Sequence, residues 1–506
     1  MLTFLGFAMV LTFMFLIMSR RLTALVALTL VPIFYAVVAW ALGTLGGETF
    51  SALSHVQLTA LGPMMLDGIR TLAPTGVLLM FAILYFALMI DSGLFDPAVR
   101  WILRLVKGDP LKVALGTVLL TLLVSLDGDG STTYMICVAA LYPLFGRLRM
   151  NPLIMTCLML LASGVMNLTP WGGPTARAAS ALHVEAAAVF VPMIPSMIAG
   201  IIWLFVLAYF YGRYERQRLG ILELPESGDE KKEPEVMVSQ WEEARRPHLR
   251  WFKGGLTMVL MTALVMGILP LPVLFMIAFG IALIVNYPDI TVQKQRIGAH
   301  SETVLAVVSL IFAAGIFTGI LSGTGMVDAM SKSLLSVIPP SMGPHLAVIT
   351  SLVSLPFTFF ISNDAFYFGV LPVLSEAAGH YGISPVEMAR ASFIGQPVHL
   401  LSPLVPSTYL LVGLAKVEFG DHQRFTLRWA IITSLVMLIS ALILQVFPLS
   451  ASPPAADHKV EAERVSTSRT SRSPDPPAPP ASPIRWKAPG SDTAVPALST
   501  VGQRQR

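Results

Sequence analysis

Two short segments with acidic residues interrupt long apolar stretches of the sequence, and the first is Asp127-Gly128-Asp129. We call these segments the two tips, because each is predicted to form the tip of a helical hairpin. A charged side chain at the bilayer centre costs about 2.5–3.5 kcal/mol or more, so an acid at that depth indicates a functional site. Ser131 and Thr132 open the next apolar stretch, where free N–H groups at a helix start can bind an anion. The carboxylates suit a cation or a proton instead. The simpler alternative is that Asp127 or Asp129 only caps the returning helix.

Ser362-Asn363-Asp364 forms the second tip, again between apolar stretches. The Asn363 amide can donate to a carboxylate, and its oxygen can accept from or bind a cation. Asp364 could carry a proton, contact a metal ion or cap a helix. We predict that this tip belongs to the same ligand site as the first.

Each tip is followed by a segment in which a helix should unwind, and Asn167–Pro174 is the first. It offers four candidate ligand contacts, which are Asn167, Thr169, Gly172 and Gly173. Backbone groups freed at membrane depth need partners, which a ligand supplies in transporters and which a neighbouring helix or water could also supply. Arg177 follows within a turn. It could clamp a carboxylate with its forked donors, snorkel toward the membrane surface, or pair with Asp127 or Asp129.

Gln396–Pro403 is the matching break in the second half of the chain. Gln396 and Ser402 are candidate ligand contacts there through their amide and hydroxyl groups. A lone histidine on an apolar helix usually packs against its neighbours, but the position of His399 in this break makes it a candidate proton relay.

The sequence lacks the signatures of a membrane enzyme. Intramembrane aspartyl proteases use Gly-x-Gly-Asp, but Leu126 stands where the first glycine before Asp129 would be. Neither HExxH nor GxSxG occurs, so we predict no enzyme activity and no cofactor.

Composition places these residues in a membrane protein. The chain has 506 residues, of which 55% are hydrophobic and 13% charged, whereas soluble proteins have about 25% charged residues. Of the 64 charged residues, 18 lie in 213–253 and 13 in 451–506, which leaves 33 for the other 409 positions. Such scarcity predicts a helical bundle in lipid. A net charge of +4 spread over this chain gives no basic face for nucleic acid.

The apolar stretches predict an all-α polytopic membrane protein with about ten transmembrane helices. The predicted spans are Met1–Met18, Leu22–Gly47, Thr71–Ile90, Met150–Ala176, Ala186–Gly212, Gly254–Pro288 divided near Pro270 into two short helices, Val304–Val327, Ala391–Ala415 and Trp429–Val446. Residues 111–146 and 343–378 are predicted instead as re-entrant hairpins around the two tips. Basic residues flank both ends of the first hairpin, which places both of its ends on the cytoplasmic side.

The same features recur in order in both halves, with five spans and a hairpin in each. An odd number of crossings gives the second half the opposite orientation. Inverted repeats with broken helices are typical of secondary transporters, whose substrate site lies at midplane between the repeats. We predict a first repeat at 1–212, a charged cytoplasmic linker at 213–253, a second repeat at 254–450 and a disordered Pro/Ser-rich tail at 451–506.

Four stretches resemble the citrate–metal:proton symporter family (CitMHS) of the ion transporter superfamily. They are LDGDGSTTYM (126–135), NLTPWGGPTA (167–176), SNDAFYFG (362–369) and GQPVHLLSPLVPSTY (395–409). The resemblance covers roughly residues 1–448. It implies uptake of citrate complexed with a divalent cation such as Mg²⁺ or Ca²⁺, driven by proton symport. We predict elevator-type alternating access, in which the two hairpins and the two broken segments form one moving unit. The expected location is a bacterial-type inner (plasma) membrane, and a homodimer is one option for the assembly.

Related superfamily members carry Ser-Asn-Thr at paired hairpin tips, whereas acids stand at both tips here. This departure argues against sodium coupling and favours protonation or contact with a metal that arrives bound to citrate. The candidate proton-coupling residues are therefore Asp127, Asp129, Asp364 and His399. The alternative is a proton- or sodium-coupled carrier of metal-free di- or tricarboxylates.

Overall fold

The computed structural model describes residues 1–19, 21–45, 56–106, 108–221 and 244–451. Part of the predicted linker (222–243) and the predicted tail from 452 onward lie outside the described residues. Within the described ranges every regular element is helical and no strand occurs. The predicted all-α class is therefore confirmed.

Ten α-helices lie in the described part of the first half. They are α1 (Leu2–Met18), α2 (Ala24–Leu45), α3 (Leu58–Asp91), α4 (Asp96–Val106), α5 (Pro110–Val124), α6 (Gly130–Arg147), α7 (Pro152–Met166), α8 (Gly173–Leu182), α9 (Ala186–Phe190) and α10 (Ile194–Leu219).

Eleven α-helices lie in the described part of the second half. They are α11 (Arg250–Val265), α12 (Leu271–Asn286), α13 (Ile290–Ala299), α14 (Ser301–Gly323), α15 (Met326–Val337), α16 (Leu346–Phe360), α17 (Leu371–Gly379), α18 (Pro385–Ser392), α19 (Gln396–His399), α20 (Pro406–Leu414) and α21 (Phe419–Ile443). A π-helical turn at Ala365–Val370 leads into α17.

Seven helical segments among the described residues are long and apolar enough to cross a bilayer. They are Ala24–Thr44, Leu58–Asp91, Pro110–Asp127, Ala186–Leu219, Ser301–Gly323, Gly343–Phe360 and Phe419–Ile443. Shorter apolar helices, such as α1, α7 and α12, accompany them. The exact count of ten spans and the re-entrant course of the hairpins stay predictions.

Helix α3 is longer than the sequence suggests. The predicted span begins at Thr71, whereas the helix begins at Leu58 and has 34 residues. An exposed i,i+3 ion pair lies in this added segment, where Arg70 Nη1 is 3.3 Å from Asp67 Oδ1. A charge-free stretch marks the part of a helix that suits hydrocarbon, and it does not mark where the helix ends. The predicted division near Pro270 is confirmed, because α12 begins directly after that residue.

The described elements follow the same order in both halves. A long apolar helix (α3, α14) is followed by a short helix (α4, α15), a helix pair around a tip (α5 and α6; α16 and α17), a broken helix (α7 and α8; α19 and α20) and a long final helix (α10, α21). The first arms of the two pairs, α5 and α16, each have 15 residues. This order is what the predicted repeat requires, and the opposite orientation of the halves stays a prediction.

Helices α3 and α14 pack backbone against backbone through glycines. A Cβ atom on Gly68 would lie 1.9 Å from the Gly315 carbonyl oxygen, and one on Gly319 would lie 2.3 Å from the Met64 carbonyl oxygen. Small residues permit such approach between membrane helices, where van der Waals contact supplies much of the attraction. Helix α8, which carries Arg177, packs against both of these helices. The α3–α14 pair therefore supports one wall of the site.

Candidate functional site

The first tip is a tight turn that Asp127 stabilises by accepting hydrogen bonds. After α5 the chain makes one 3₁₀ turn, Ser125–Asp127, and Gly128 then adopts φ +79°, a left-handed conformation that favours glycine. The Asp127 Oδ1 atom accepts the Asp129 N–H at 3.0 Å and the Thr133 hydroxyl at 3.4 Å. Only 8% of Asp127 is exposed. Its carboxylate therefore shapes the tip without lining an open space.

Asp129 caps α6 and also faces the open space above the tip. Its Oδ1 atom accepts the Ser131 N–H at 3.1 Å, and its Oδ2 atom accepts the Thr132 N–H at 3.0 Å and the Thr132 hydroxyl at 2.6 Å. Asp129 is therefore the N-cap of α6. The side chain remains exposed to the cavity, so capping does not exclude a ligand role.

At the second tip, the residue that caps the returning helix is not the acidic residue. The Ser362 hydroxyl accepts the Ala365 N–H at 3.2 Å, so the cap belongs to Ser362 and not to Asp364. Asp364 pairs instead with Arg177, whose Nε atom lies 2.6 Å from Asp364 Oδ1. The same guanidinium donates through Nη1 to the Gly173 carbonyl at 3.1 Å.

The alternative that paired Arg177 with Asp127 or Asp129 is therefore wrong. Helix α8 packs against the π-helical turn that follows the second tip. The Arg177 guanidinium consequently lies beside Asp364, which belongs to the second half of the chain. The ion pair joins the first broken helix to the second tip.

The first break lies where the sequence predicts it, between the end of α7 at Met166 and the start of α8 at Gly173. A Cβ atom on Gly172 would lie 2.1 Å from the Asn167 carbonyl oxygen, so the turn requires glycine there. Trp171 Nε1 donates to the Leu126 carbonyl at 2.9 Å and so ties the break to the first tip. Thr169 is buried behind this turn.

The second break begins later than predicted, because Gln396 and His399 lie on the short helix α19 and regular helix resumes only at Pro406. The His399 Nδ1–H donates to the Thr358 carbonyl at 2.6 Å, and the Ser402 hydroxyl donates to the Phe359 carbonyl at 2.6 Å. Both side chains thus satisfy carbonyls at the end of α16 that lack helical partners. Their roles in transport stay predictions.

Gln396 on α19 connects the first break to the second tip. It is fully buried, and its Nε2 atom donates to the Tyr367 hydroxyl at 2.9 Å and to Asn363 Oδ1 at 3.4 Å. Its Oε1 atom accepts from Asn167 Nδ2 at 3.5 Å. One amide therefore orients polar side chains from both halves.

A cavity of about 340 Å³ lies among the two tips and the two breaks. It is lined by Ser125, Gly128, Asp129, Gly130, Thr133, Ser163, Asn167, Gly173, Pro174, Arg177, Asn363, Leu400 and Ser407. Its size falls at the lower end of the range for small-molecule sites, about 300–1,000 Å³. The predicted residues Gly128, Asp129, Asn167, Gly173 and Asn363 therefore meet in one place.

The other predicted site residues are not among those that line the cavity. They are Asp127, Ser131, Thr132, Thr169, Gly172, Ser362, Asp364, Gln396, His399 and Ser402. Sequence reasoning missed Ser125 and Ser163, whose hydroxyl oxygens lie 3.2 Å apart at the cavity wall. Ser163 is one helical turn before Asn167 in an apolar helix, and that spacing is the signal that could have identified it.

The lining of the cavity carries both signs of charge. Asp129 supplies a carboxylate from the first tip, and Arg177 supplies a guanidinium from α8. Amide groups of Asn167 and Asn363 and several hydroxyls complete the lining. No group of three or more His, Cys, Asp or Glu side chains that could hold a metal ion occurs among the described residues. A ligand with one cationic and one carboxylate end matches this lining.

A helical, multi-span protein with broken helices around a polar cavity belongs to the class of membrane transporters. The family model for citrate transporters matches residues 10–395. The chain therefore belongs to the citrate transporter family and is a multi-pass membrane transporter and not an enzyme.

Relatives from Bacillus subtilis (strain 168) are similar along nearly their whole length. The chain is 56% identical over 444 residues to a "Citrate transporter", covering 88% of this chain and 99% of the relative. It is 51% identical over 450 residues to the "Mg(2+)/citrate complex secondary transporter", covering 89% of this chain and 100% of that relative.

Two solved structures share the fold at low sequence identity. The MtrF structure from Neisseria gonorrhoeae has TM-score 0.56 and 16% identity, and the alignment covers 80% of this chain and 87% of that one. The Alcanivorax borkumensis YdaH transporter has TM-score 0.50 and 15% identity, with 78% and 90% covered. At such identities the likeness supports the transporter fold alone.

Proposed function

We propose that this chain takes up citrate as a complex with a divalent metal ion such as Mg²⁺ or Ca²⁺, driven by proton symport. The observation that carries this proposal is the placement of Asp129 and Arg177 on one cavity. The two relatives support it, because one is named a transporter of citrate and the other a transporter of its magnesium complex.

The charges explain why a complex is a better cargo than free citrate. Free citrate is strongly anionic, and removing that charge from water is costly. A chelated divalent ion cancels two of the charges. The complex presents carboxylates, which suit the Arg177 fork, and a metal ion that prefers oxygen ligands and keeps some water. Asp129 and the amide oxygen of Asn167 are the oxygen ligands that the cavity offers to the metal end, since the Asn363 amide oxygen accepts a hydrogen bond from Gln396.

We also propose that protons couple to loading through the acids at the tips, with Asp127, Asp129, Asp364 and His399 as the candidate groups. Protonation of a site carboxylate removes repulsion toward an anionic complex. The tips and breaks would move as one unit against helices such as α3 and α14, which carries the complex across in elevator fashion. A homodimer and a bacterial-type plasma membrane location complete the proposal, and light scattering of the purified protein tests the dimer.

Uptake into proteoliposomes tests the substrate. The purified chain is reconstituted, and labelled citrate is supplied with Mg²⁺ or Ca²⁺, or with a chelator, under an imposed pH gradient. We expect uptake that needs both the metal and the gradient. Asp67→Asn, at the exposed end of α3, is the matched control and should transport as the wild type does.

The rival function is transport of metal-free di- or tricarboxylates. It predicts full citrate uptake in the presence of chelator and competition by succinate. Either result would reject the metal–citrate proposal.

A further inference from the structure

Arg177 lies between the cavity and Asp364. The guanidinium lines the cavity, whereas Asp364 is not among the lining residues. Nε is engaged by the Asp364 carboxylate at 2.6 Å and Nη1 by the Gly173 carbonyl at 3.1 Å. The pair is partly buried, with 23% of the Arg177 side chain and 16% of the Asp364 side chain exposed. The cation that a substrate carboxylate would bind is therefore already held by a carboxylate of the protein.

We propose that Asp364 competes with the substrate for Arg177, and that a proton on Asp364 releases the guanidinium for a substrate carboxylate. This inference rests on the proposed function and adds to it the group that takes up the proton. One proton moves from water to a carboxylate oxygen of Asp364, and the Arg177–Asp364 contact is exchanged for an Arg177–citrate contact. Loading and protonation then occur together.

The energetic reason is that a bound carboxylate and an ionised Asp364 cannot both be neutralised by one guanidinium. With Asp364 ionised, the site would hold an unpaired negative charge in a poorly solvated place. With Asp364 protonated, the bidentate fork of Arg177 is free to bind citrate. Linkage makes the effect reciprocal, so the proton raises the affinity for citrate by the factor by which citrate raises the affinity for the proton.

Few other ionisable groups face the pair. His399 on α19 is within electrostatic reach of both members, and Tyr367 on the π-helical turn is within reach of Arg177. Asp129 faces the same cavity from the first tip. Helices α3 and α14 carry no charged residue between Thr71 and Ile90 or between Val304 and Gly323.

Charged groups on the neighbouring helices α17 and α18 are engaged elsewhere or exposed. Glu387 accepts from the backbone N–H and the hydroxyl of Ser384, and Arg390 donates to two backbone carbonyls. Glu376 is exposed. Asp364 is therefore the acid in direct contact with the cation that lines the cavity.

Equilibrium binding of labelled citrate to the purified full chain tests the proposal. The concentration of the Mg²⁺–citrate complex is held constant, and the pH is raised through the range in which citrate itself is fully ionised. In the wild type we expect Kd to rise by about tenfold per pH unit on the alkaline side. In Asp364→Asn, no carboxylate of the protein competes for Arg177 at any pH, so Kd should stay at the low-pH value of the wild type.

The matched control is Asp289→Asn, which changes an acid that caps α13 away from the cavity. It should keep the wild-type pH dependence. The same slope in Asp364→Asn as in the wild type would overturn the proposal. The proposed function fails separately, if the wild type binds no metal–citrate complex at any pH.

A second measurement needs no variant and remains decisive if Asp364→Asn does not fold. Saturating Mg²⁺–citrate is added to the wild-type protein in weakly buffered solution with a pH indicator. We expect uptake of about one proton per complex bound on the alkaline side, where Kd rises about tenfold per pH unit. Binding without proton uptake at any pH would overturn the proposal.

Discussion

Substitution of Asp129 separates the two tasks of its carboxylate, which are to cap α6 and to face the cavity. Asn and Ser are N-cap residues as good as Asp, whereas Ala cannot accept the hydrogen bonds. Asp129→Asn and Asp129→Ser therefore remove the charge and keep the cap. Asp129→Ala removes both.

The magnitudes of the two losses differ. Loss of an N-cap costs about 1 kcal/mol of stability, and here it affects the N–H groups of Ser131 and Thr132. A carboxylate about 4 Å from a unit positive charge gains about 4 kcal/mol at an effective dielectric constant of 20. Asp129 is open to the cavity, and citrate oxygens already surround the metal. We therefore expect that removal of the Asp129 charge weakens binding of the complex by about 1.4–2.7 kcal/mol, which is a tenfold to hundredfold loss of affinity.

Initial rates of uptake against the concentration of the Mg²⁺–citrate complex measure KM, and thermal unfolding in detergent measures stability. Asp129→Asn and Asp129→Ser should unfold as the wild type does, with KM raised at least about tenfold. Asp129→Ala should show the same rise in KM and a lower unfolding temperature. Wild-type KM in the Asn and Ser variants, with impairment in the Ala variant alone, would refute the reasoning and leave Asp129 as a cap only.

Three further substitutions test the packing around the site. Gln396→Leu removes the amide that joins the first break to the second tip and should raise KM about fivefold, for one hydrogen bond worth about 1 kcal/mol; an unchanged KM would show that the bridge does not orient the cavity amides. Gly68→Ala should force α3 and α14 apart at a cost of about 1–3 kcal/mol and reduce the yield of monodisperse protein, whereas Gly62→Ala, with nothing within 4 Å of its Cβ, should not; equal yields would contradict the packing argument. Gly128→Ala places a side chain at φ +79°, which should lower stability by about 1–2 kcal/mol, and an unchanged unfolding temperature would count against the strained turn.

The tips and breaks were predictable because they are local features of composition. Asp127-Gly128-Asp129 places two acids and a glycine inside an apolar stretch, and Gly172-Gly173-Pro174 breaks a helix wherever it folds. Such residues determine backbone geometry through their own conformational limits. Their positions along the chain therefore follow from the sequence, and the cavity that joins them follows from the fold.

Contacts between the halves were not predictable. Arg177 could have met any of several acids, and the packing of α8 on the second tip selects Asp364. The cap at the second tip falls on Ser362 and not on Asp364, because it depends on where the returning helix begins. The bridge made by Gln396 likewise needs three elements to be brought together in space. These are tertiary choices, which no local pattern specifies.

Simultaneous measurement of metal and citrate influx tests the central claim most directly. Proteoliposomes that contain a magnesium-sensitive dye receive labelled citrate with Mg²⁺ under an inward proton gradient, and the influx of metal and of citrate is followed in the same vesicles. The account predicts that the two cross together at one metal ion per citrate, and that Arg177→Gln abolishes both fluxes. Accumulation of citrate with no influx of metal would contradict it.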